Sequence, residues 1–179
     1  MSRTVAAVAS LALLAGTAAC GSGDDAPAAD DRYGHAATGD LALTDGWATE
    51  APKAPTSSGD ATDMGSTMSA VSGAYFTLTN DGDTDDALVG VSTDAASQAQ
   101  LHTTESTGGG TGGTMKQVAR VPVPAGKSTR LTVGGYHVML ISPTRALSAG
   151  DEVSLRLRFA SGADLDVTVP VLDRADRPS

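Results

Sequence analysis

The stretch EVSLRLRFASGADLDVTVPV, residues 152–171, decides the fold class of this chain of 179 residues. Apolar and polar side chains alternate in each half of it, and in a β-strand such alternation places all the apolar side chains on one face. Strands with one apolar face are typical of a sheet that covers a hydrophobic core. The apolar rows are Val153, Leu155, Leu157 and Phe159 in the first half, and Leu165, Val167, Val169 and Val171 in the second.

Shorter runs of the same kind precede this stretch, separated by turn-rich residues at intervals of about 8–12 residues. No convincing amphipathic helix of useful length is readable after residue 40. We therefore predict an all-β fold, an antiparallel β-sandwich of a single domain, with Trp47, Tyr75, Phe76, Tyr136 and Phe159 as anchors of its core or rim. The runs are GAYFTLTN at 73–80, ALVGVS at 87–92, AQLHT at 99–103, KQVARVPV at 116–123, STRLTV at 128–133 and YHVMLIS at 136–142.

The N-terminus predicts export and lipidation. Arg3 supplies a short positive region, and the apolar residues 5–19 are too few to form a stable membrane span. The following TAAC, residues 17–20, resembles a bacterial lipobox, although Thr17 stands where leucine is usual. We predict a signal peptide at 1–19 and an extracytoplasmic lipoprotein, at the cell surface or in the periplasm, anchored by acylated Cys20. The alternative is an ordinary signal peptide followed by an incidental cysteine.

Three segments contain too few large apolar residues to belong to a core. Residues 20–40 are predicted to be a disordered tether between the lipid and a domain at 41–172. Residues 52–69 and the glycine-rich residues 106–114 are predicted to be long loops.

Composition argues against several classes of function. The net charge of −9 repels phosphates and anionic lipid head groups, so we expect no nucleic acid partner and membrane contact only through the lipid on Cys20. Cys20 is the sole cysteine, so the domain has neither a disulfide nor a thiolate nucleophile. Of the three histidines, His35 lies in the tether, and no nucleophile or nucleotide-binding motif is present. We expect no catalytic machinery.

Histidine and methionine point to a metal instead. His137 and Met139 are two residues apart in a predicted strand, so their side chains lie on the same face. Met115 begins the segment after the glycine loop and His102 ends the strand before it, so all four can gather at one end of the sandwich. A zinc site is not expected, because it takes about four Cys or His ligands. Two thioethers and two imidazoles favour Cu(I), and the lack of a thiolate excludes a blue-copper centre.

In these residues the sequence resembles the periplasmic copper chaperone family often called PCu(A)C. The pattern of that family is a histidine, a methionine some ten residues on, and then methionine-x21-histidine-x-methionine. Here 21 residues separate Met115 from His137, His137-Val138-Met139 supplies the H-x-M, and His102 takes the first position. The resemblance covers about residues 41–171, including DGWATEAP, GAYFTLTNDGDTDDALVGVST, VPVPAG, GGYHVMLISPTRAL and AGDEVSLRLRF.

The resemblance implies a cupredoxin-like sandwich that binds Cu(I) through His102, Met115, His137 and Met139 and delivers it to another extracytoplasmic protein. The implied recipient is a copper-accepting site such as the binuclear copper centre of cytochrome c oxidase. The sequence departs from the family pattern in two places. His102 and Met115 are separated by 12 residues rather than ten, and the segment around Met64 and Met68 is inserted.

Other interpretations stay open. The domain can be a surface-tethered interaction module whose methionines are incidental. Metal analysis after copper loading distinguishes this interpretation from a copper-binding protein. It can also be a hydrolase with an unrecognised carboxylate pair, although no such pair is readable. Met64 and Met68 can form an auxiliary copper-collecting arm, but we favour a mobile loop, because surface loops tolerate insertion.

The lipoprotein interpretation predicts the behaviour of a Cys20→Ala variant. The mature wild-type protein should partition into detergent and show a mass increment from acylation, because Cys20 carries the lipid. The variant should lose both properties, which phase partitioning and mass spectrometry measure. Wild-type protein found free in the medium with an unmodified Cys20 would contradict the interpretation.

Overall fold

The computed structural model describes residues 32–53, 70–106, 113–173 and 175–178. No helix in these ranges is long and apolar enough to cross a membrane. The predicted signal peptide, Cys20, Met64, Met68 and residues 107–112 of the glycine loop lie outside them. The strands are Gly34–Thr38 (β1), Leu41–Thr49 (β2), Val71–Asn80 (β3), Asp86–Ser92 (β4), Ala96–Ser106 (β5), Gly113–Gln117 (β6), Val121–Val123 (β7), Lys127–Leu131 (β8), Tyr136–Pro143 (β9), Glu152–Phe159 (β10) and Asp164–Leu172 (β11).

These strands form a cupredoxin-like β-sandwich, as predicted. They follow one another in a single sheet in the order β6-β5-β9-β3-β2-β11-β10-β4-β7, with β1 also paired to β2 and β8 to β3. The sheet folds over on itself, because β4 contacts β5 and β7 contacts β8 although neither pair is hydrogen-bonded in the sheet. The inner faces enclose one apolar core. One pair departs from the antiparallel pattern, since β11 runs parallel to β2.

The alternating stretch at 152–171 contributes to this core as its pattern predicts. β10 and β11 pair antiparallel, with Leu155 opposite Val167 and Leu157 opposite Leu165. The apolar positions of both strands are buried, while most of the intervening polar positions face solvent. Because burial of apolar side chains is the main stabilising term in folding, this hairpin holds one half of the sandwich in place.

The sheet begins earlier in the chain than residue 41. Gly34–Thr38, at the end of the predicted tether 20–40, pairs with β2, so this part of the tether prediction needs correction. Its small residues allow close packing: a Cβ atom on Gly34 would lie 2.4 Å from the carbonyl oxygen of Thr168. β1 contains few large apolar residues because it packs closely against β11, and not because it lacks structure. His35 on this strand is exposed.

The single run predicted at 116–123 is two strands. Gly113–Gln117 pairs with β5, whereas Val121–Val123 pairs with β4 at the opposite end of the sheet order. Residues 118–120 carry the chain between these two positions. Pro122 lacks a backbone N–H and therefore suits an edge strand such as β7. A local pattern of apolar residues could not reveal this crossing, because it depends on which distant strand each half meets.

The buried side chains of β9 lead to a prediction about stability. Val138 and Leu140 are fully buried in the core. Replacing Leu140 by Ala should lower the free energy of unfolding by about 2–5 kcal/mol, because it leaves a cavity among packed side chains. Val133, which is 69 % exposed, is the matched control, and Val133→Ala should change stability by no more than about 0.5 kcal/mol. Equal effects of the two substitutions in urea denaturation would contradict the inward placement of Leu140.

Candidate metal centre

Three neighbouring strands, β6, β5 and β9, bring the four predicted ligands to one face of the sheet. His102 on β5 pairs directly with His137 on β9. Met139 follows His137 by two residues, and Met115 on β6 pairs with Thr104, two residues beyond His102. Paired residues, and residues two apart on a strand, share a face. We call this face, which points away from the core, the outer face.

The spacing on the outer face is compatible with one shared ion. The ring centroids of His102 and His137 lie 5.8 Å apart, with an angle of 41° between the ring planes. Met115 is a diagonal neighbour of His102, and such positions are about 7–8 Å apart at Cα, within reach of long side chains. The register thus groups two imidazoles and two thioethers. We call His102, Met115, His137 and Met139 the donor group.

His137 is held in a defined orientation. Its Nδ1 lies 3.1 Å from the carbonyl oxygen of Gly135. A carbonyl only accepts, so Nδ1 carries the proton and donates it, and the lone pair is left on Nε2. Metal-binding histidines are commonly held in this way, with the other ring nitrogen hydrogen-bonded to the protein.

The environment of His137 is more enclosed than its place on the outer face suggests. Although it faces away from the core, the side chain is only 6 % exposed, because neighbouring side chains cover it. The rings of His102 and Tyr75 lie beside it, at centroid distances of 5.8 and 6.2 Å. A substitution of His137 therefore disturbs packing as well as any ligand role, and it is a poor choice for separating the two.

His102 has one ring nitrogen in use and one without a partner. Its Nε2 lies 3.0 Å from Oε1 of Gln100, whose amide nitrogen donates to Oε1 of Gln98 at 3.0 Å. Its Nδ1 is buried and has no hydrogen-bond partner. A buried polar atom without a partner lowers the stability of the fold. A metal ion bound to the lone pair of Nδ1 would supply the missing partner.

The surroundings also keep His102 neutral. Burial, and after it the nearby His137, lowers the pKa of the His102 imidazole. The neutral ring is the form that binds metals. The residue is therefore ready to act as a ligand at neutral pH without first losing a proton.

The remaining donors are the two methionines. Met139 is half-buried beside His137, and Met115 is 58 % exposed on β6. Within the described ranges, no three His, Cys, Asp or Glu side chains come together as a group that could hold a metal. Further ligands around the two imidazoles therefore have to come from other types of side chain, here the thioethers of Met115 and Met139. Thioether sulfur selects soft ions such as Cu(I).

Two aromatic residues that sequence reasoning assigned only to the core or rim border the donor group. Tyr75 lies beside His137, and Trp47 stacks on Tyr75 with ring centroids 4.6 Å apart. Burial raises the pKa of the Tyr75 phenol, an effect that the positive charge of Arg177 partly offsets. The phenol is therefore neutral at physiological pH, and the pair covers the site on its β3 side.

A β-bulge brings Trp47 to this position. The register of β2 against β3 shifts between Thr44 and Trp47, and Asp45 there has a φ of 55°. In a regular strand Trp47 would share the inner face of Leu43, four residues earlier. The extra residue turns it to the outer face, opposite Tyr75. The dipeptide Asp45-Gly46 is the sequence signal for the bulge, because Asp and Gly tolerate the left-handed conformation.

Comparison with known proteins adds the family. Residues 41–171 match the family described as "Putative lipoprotein LpqE-like". The protein described as "Putative lipoprotein Lxx21020", from Leifsonia xyli subsp. xyli (strain CTCB07), is 36 % identical over 106 residues, which cover 59 % of this chain and 63 % of that relative. The chain thus matches less than two thirds of the length of that relative.

Solved structures share the fold. The apo PCuAC domain from PmoF1 is 20 % identical and superposes with a TM-score of 0.56, covering 80 % of this chain and 99 % of that domain. CuI-DR1885 from Deinococcus radiodurans is 32 % identical with a TM-score of 0.51, covering 74 % of this chain and 79 % of that protein. The chain belongs to the LpqE-like family, and its domain shares the fold of the solved PCuAC domains, the family that the sequence resembles.

Proposed function

We propose that this protein is an extracytoplasmic Cu(I)-binding metallochaperone whose ligands are the donor group. The observation that carries this proposal is the direct pairing of His102 with His137 on the outer face, with Met115 and Met139 on the same face. The buried Nδ1 of His102, which lacks a partner, supports a ligand at this place. Two solved relatives, the copper-bound PCuAC domain from PmoF2 and CuI-DR1885, hold copper by their descriptions.

The chemistry of the donor group suits delivery of copper. Imidazole and thioether are neutral ligands, so they hold a soft monovalent ion selectively while water and hard cations compete poorly. Met115 is exposed, so an incoming acceptor can reach the ion by replacing one ligand at a time. The same four side chains therefore both retain Cu(I) and release it to a partner.

The proposed location follows from the N-terminus. A lipid on Cys20 would tether the domain to the membrane, outside the cytoplasm, with the sheet beginning at Gly34. The acceptor is then a second extracytoplasmic protein that offers a copper site, for which the binuclear copper centre of cytochrome c oxidase is our candidate. Membership of a lipoprotein family supports this placement.

Replacing Met139 by Leu tests the ligand role without changing side-chain volume much. The variant should bind Cu(I) at least about tenfold more weakly, about 1.4 kcal/mol, because it lacks the sulfur. Its stability should change by less than about 1.5 kcal/mol, since Met and Leu exchange with little loss of packing. Anaerobic titration of Cu(I) against a competing chelator, with thermal melts of the apo proteins, measures both quantities.

Met64 and Met68, which are not in the donor group, offer a matched control. The double variant Met64→Leu, Met68→Leu loses two sulfurs, one more than Met139→Leu, yet it should keep the affinity and stoichiometry of the wild type. A drop in stoichiometry would instead support the copper-collecting arm. Wild-type protein that takes no Cu(I) from the chelator would refute the proposed function, and wild-type affinity in Met139→Leu would remove Met139 from the ligand set.

A further inference from the structure

We propose that Tyr75, which lies across Gly73 and is backed by Trp47, is a positioning residue that closes the β3 side of the copper site. Copper would then enter and leave from the β6 side, next to Met115. This inference rests on the proposed function and adds to it a direction of exchange. We call Trp47 and Tyr75 together the aromatic wall.

The first observation concerns the space above Gly73. Gly73 pairs with Met139 across β3 and β9, so it lies on the outer face directly beside that thioether. A Cβ atom at Gly73 would lie 2.5 Å from the hydroxyl oxygen of Tyr75 and 2.8 Å from its Cζ. The Tyr75 ring therefore occupies the space that a side chain at position 73 would fill. Gly73 is not among the glycines with positive φ, so its role is to admit this ring.

The second observation is that the Tyr75 ring is held from both sides. Trp47 stacks on it at 4.6 Å with 28° between the ring planes, and His137 lies on the other side at 6.2 Å. Trp47 is itself covered, because the guanidinium carbon of Arg177 lies 5.8 Å from the centre of its ring. Aromatic rings in offset stacking favour one geometry. The aromatic wall is therefore a fixed boundary of the donor group.

The third observation is that the outer face is most exposed at β6. Trp47 on β2 is buried, Tyr75 on β3 is half-buried, His137 on β9 is buried and His102 on β5 is half-buried. Met115 on β6 is 58 % exposed, and β6 ends the sheet order of the described residues. The donor group is thus covered toward β3 and accessible toward β6. Among the described residues, Met115 is the most exposed member of the donor group, so an acceptor ligand can reach a bound ion beside it.

Closing one side of the site has a kinetic consequence. An acceptor that takes Cu(I) from the protein has to bring its own ligand to the ion, and the aromatic wall removes one direction of approach. The protein then retains copper between encounters and exchanges it beside Met115. Opening the wall should therefore change the rate of exchange more than the equilibrium affinity.

The test measures the rate at which Cu(I) passes from the mature protein to bathocuproine disulfonate in stopped-flow absorbance. Tyr75→Ala removes the wall, and Gly73→Ala displaces the ring while keeping it in the sequence. Both should transfer Cu(I) about tenfold faster than wild type, because the acceptor gains a direction of approach that the ring closes in the wild type. Tyr75→Phe keeps the ring and should transfer at the wild-type rate.

A second control separates exposure of the site from loss of stability. Leu155→Ala creates a cavity in the core on the opposite half of the sandwich, so it should destabilise the fold and leave the transfer rate unchanged. Unchanged transfer in Tyr75→Ala, or equal acceleration in Tyr75→Phe, would overturn the inference while the wild type still binds Cu(I). Wild-type protein that binds no Cu(I) would overturn the proposed function, and this inference with it.

Discussion

The cross-strand pairing of His102 with His137 is the constraint on which the candidate site depends. In a sheet, successive side chains alternate between faces, so a shift of register by one residue would exchange the two faces. Here the residues beside the histidines, Leu101 and Val138, are buried in the core. The core therefore fixes the register of β5 against β9, and that register holds both imidazoles on the outer face. Stability of the sandwich and geometry of the site have the same origin.

Around this pair the site is asymmetric. On the β3 side the bulge at Asp45 turns Trp47 outward, and Gly73 makes room for Tyr75. On the β6 side the strand carries an exposed methionine, and no comparable aromatic cover lies there within the part of the chain that the structure describes. A site with one fixed and one accessible boundary suits a protein that must both retain an ion and give it up. The neutral donors fit the same requirement, because they bind a soft ion without a large electrostatic penalty for release.

The sequence allowed much of this to be predicted, and the exceptions have physical reasons. Alternation along 152–171 predicted the sandwich. The pattern of Met115, His137 and Met139 predicted a copper site, and the structure places these residues on one face while their role as ligands stays a prediction. The position of Trp47 was missed because a bulge changes the face of every residue after it. Strand β1 was missed because Gly34 is selected by close packing against a distant strand, and the division of 116–123 depends on pairing partners far away in the chain. Pairing and packing between strands that are distant in the chain produce little signal in a local sequence pattern.

The central claim is the identity of the ligands, and X-ray absorption spectroscopy of the Cu(I)-loaded protein tests it most directly. The fine structure of the copper edge distinguishes sulfur from nitrogen or oxygen neighbours. We predict a first shell that contains both sulfur and nitrogen, and we predict that Met115→Leu lowers the sulfur contribution while the nitrogen contribution stays. A first shell of nitrogen and oxygen alone, unchanged in that variant, would contradict the account.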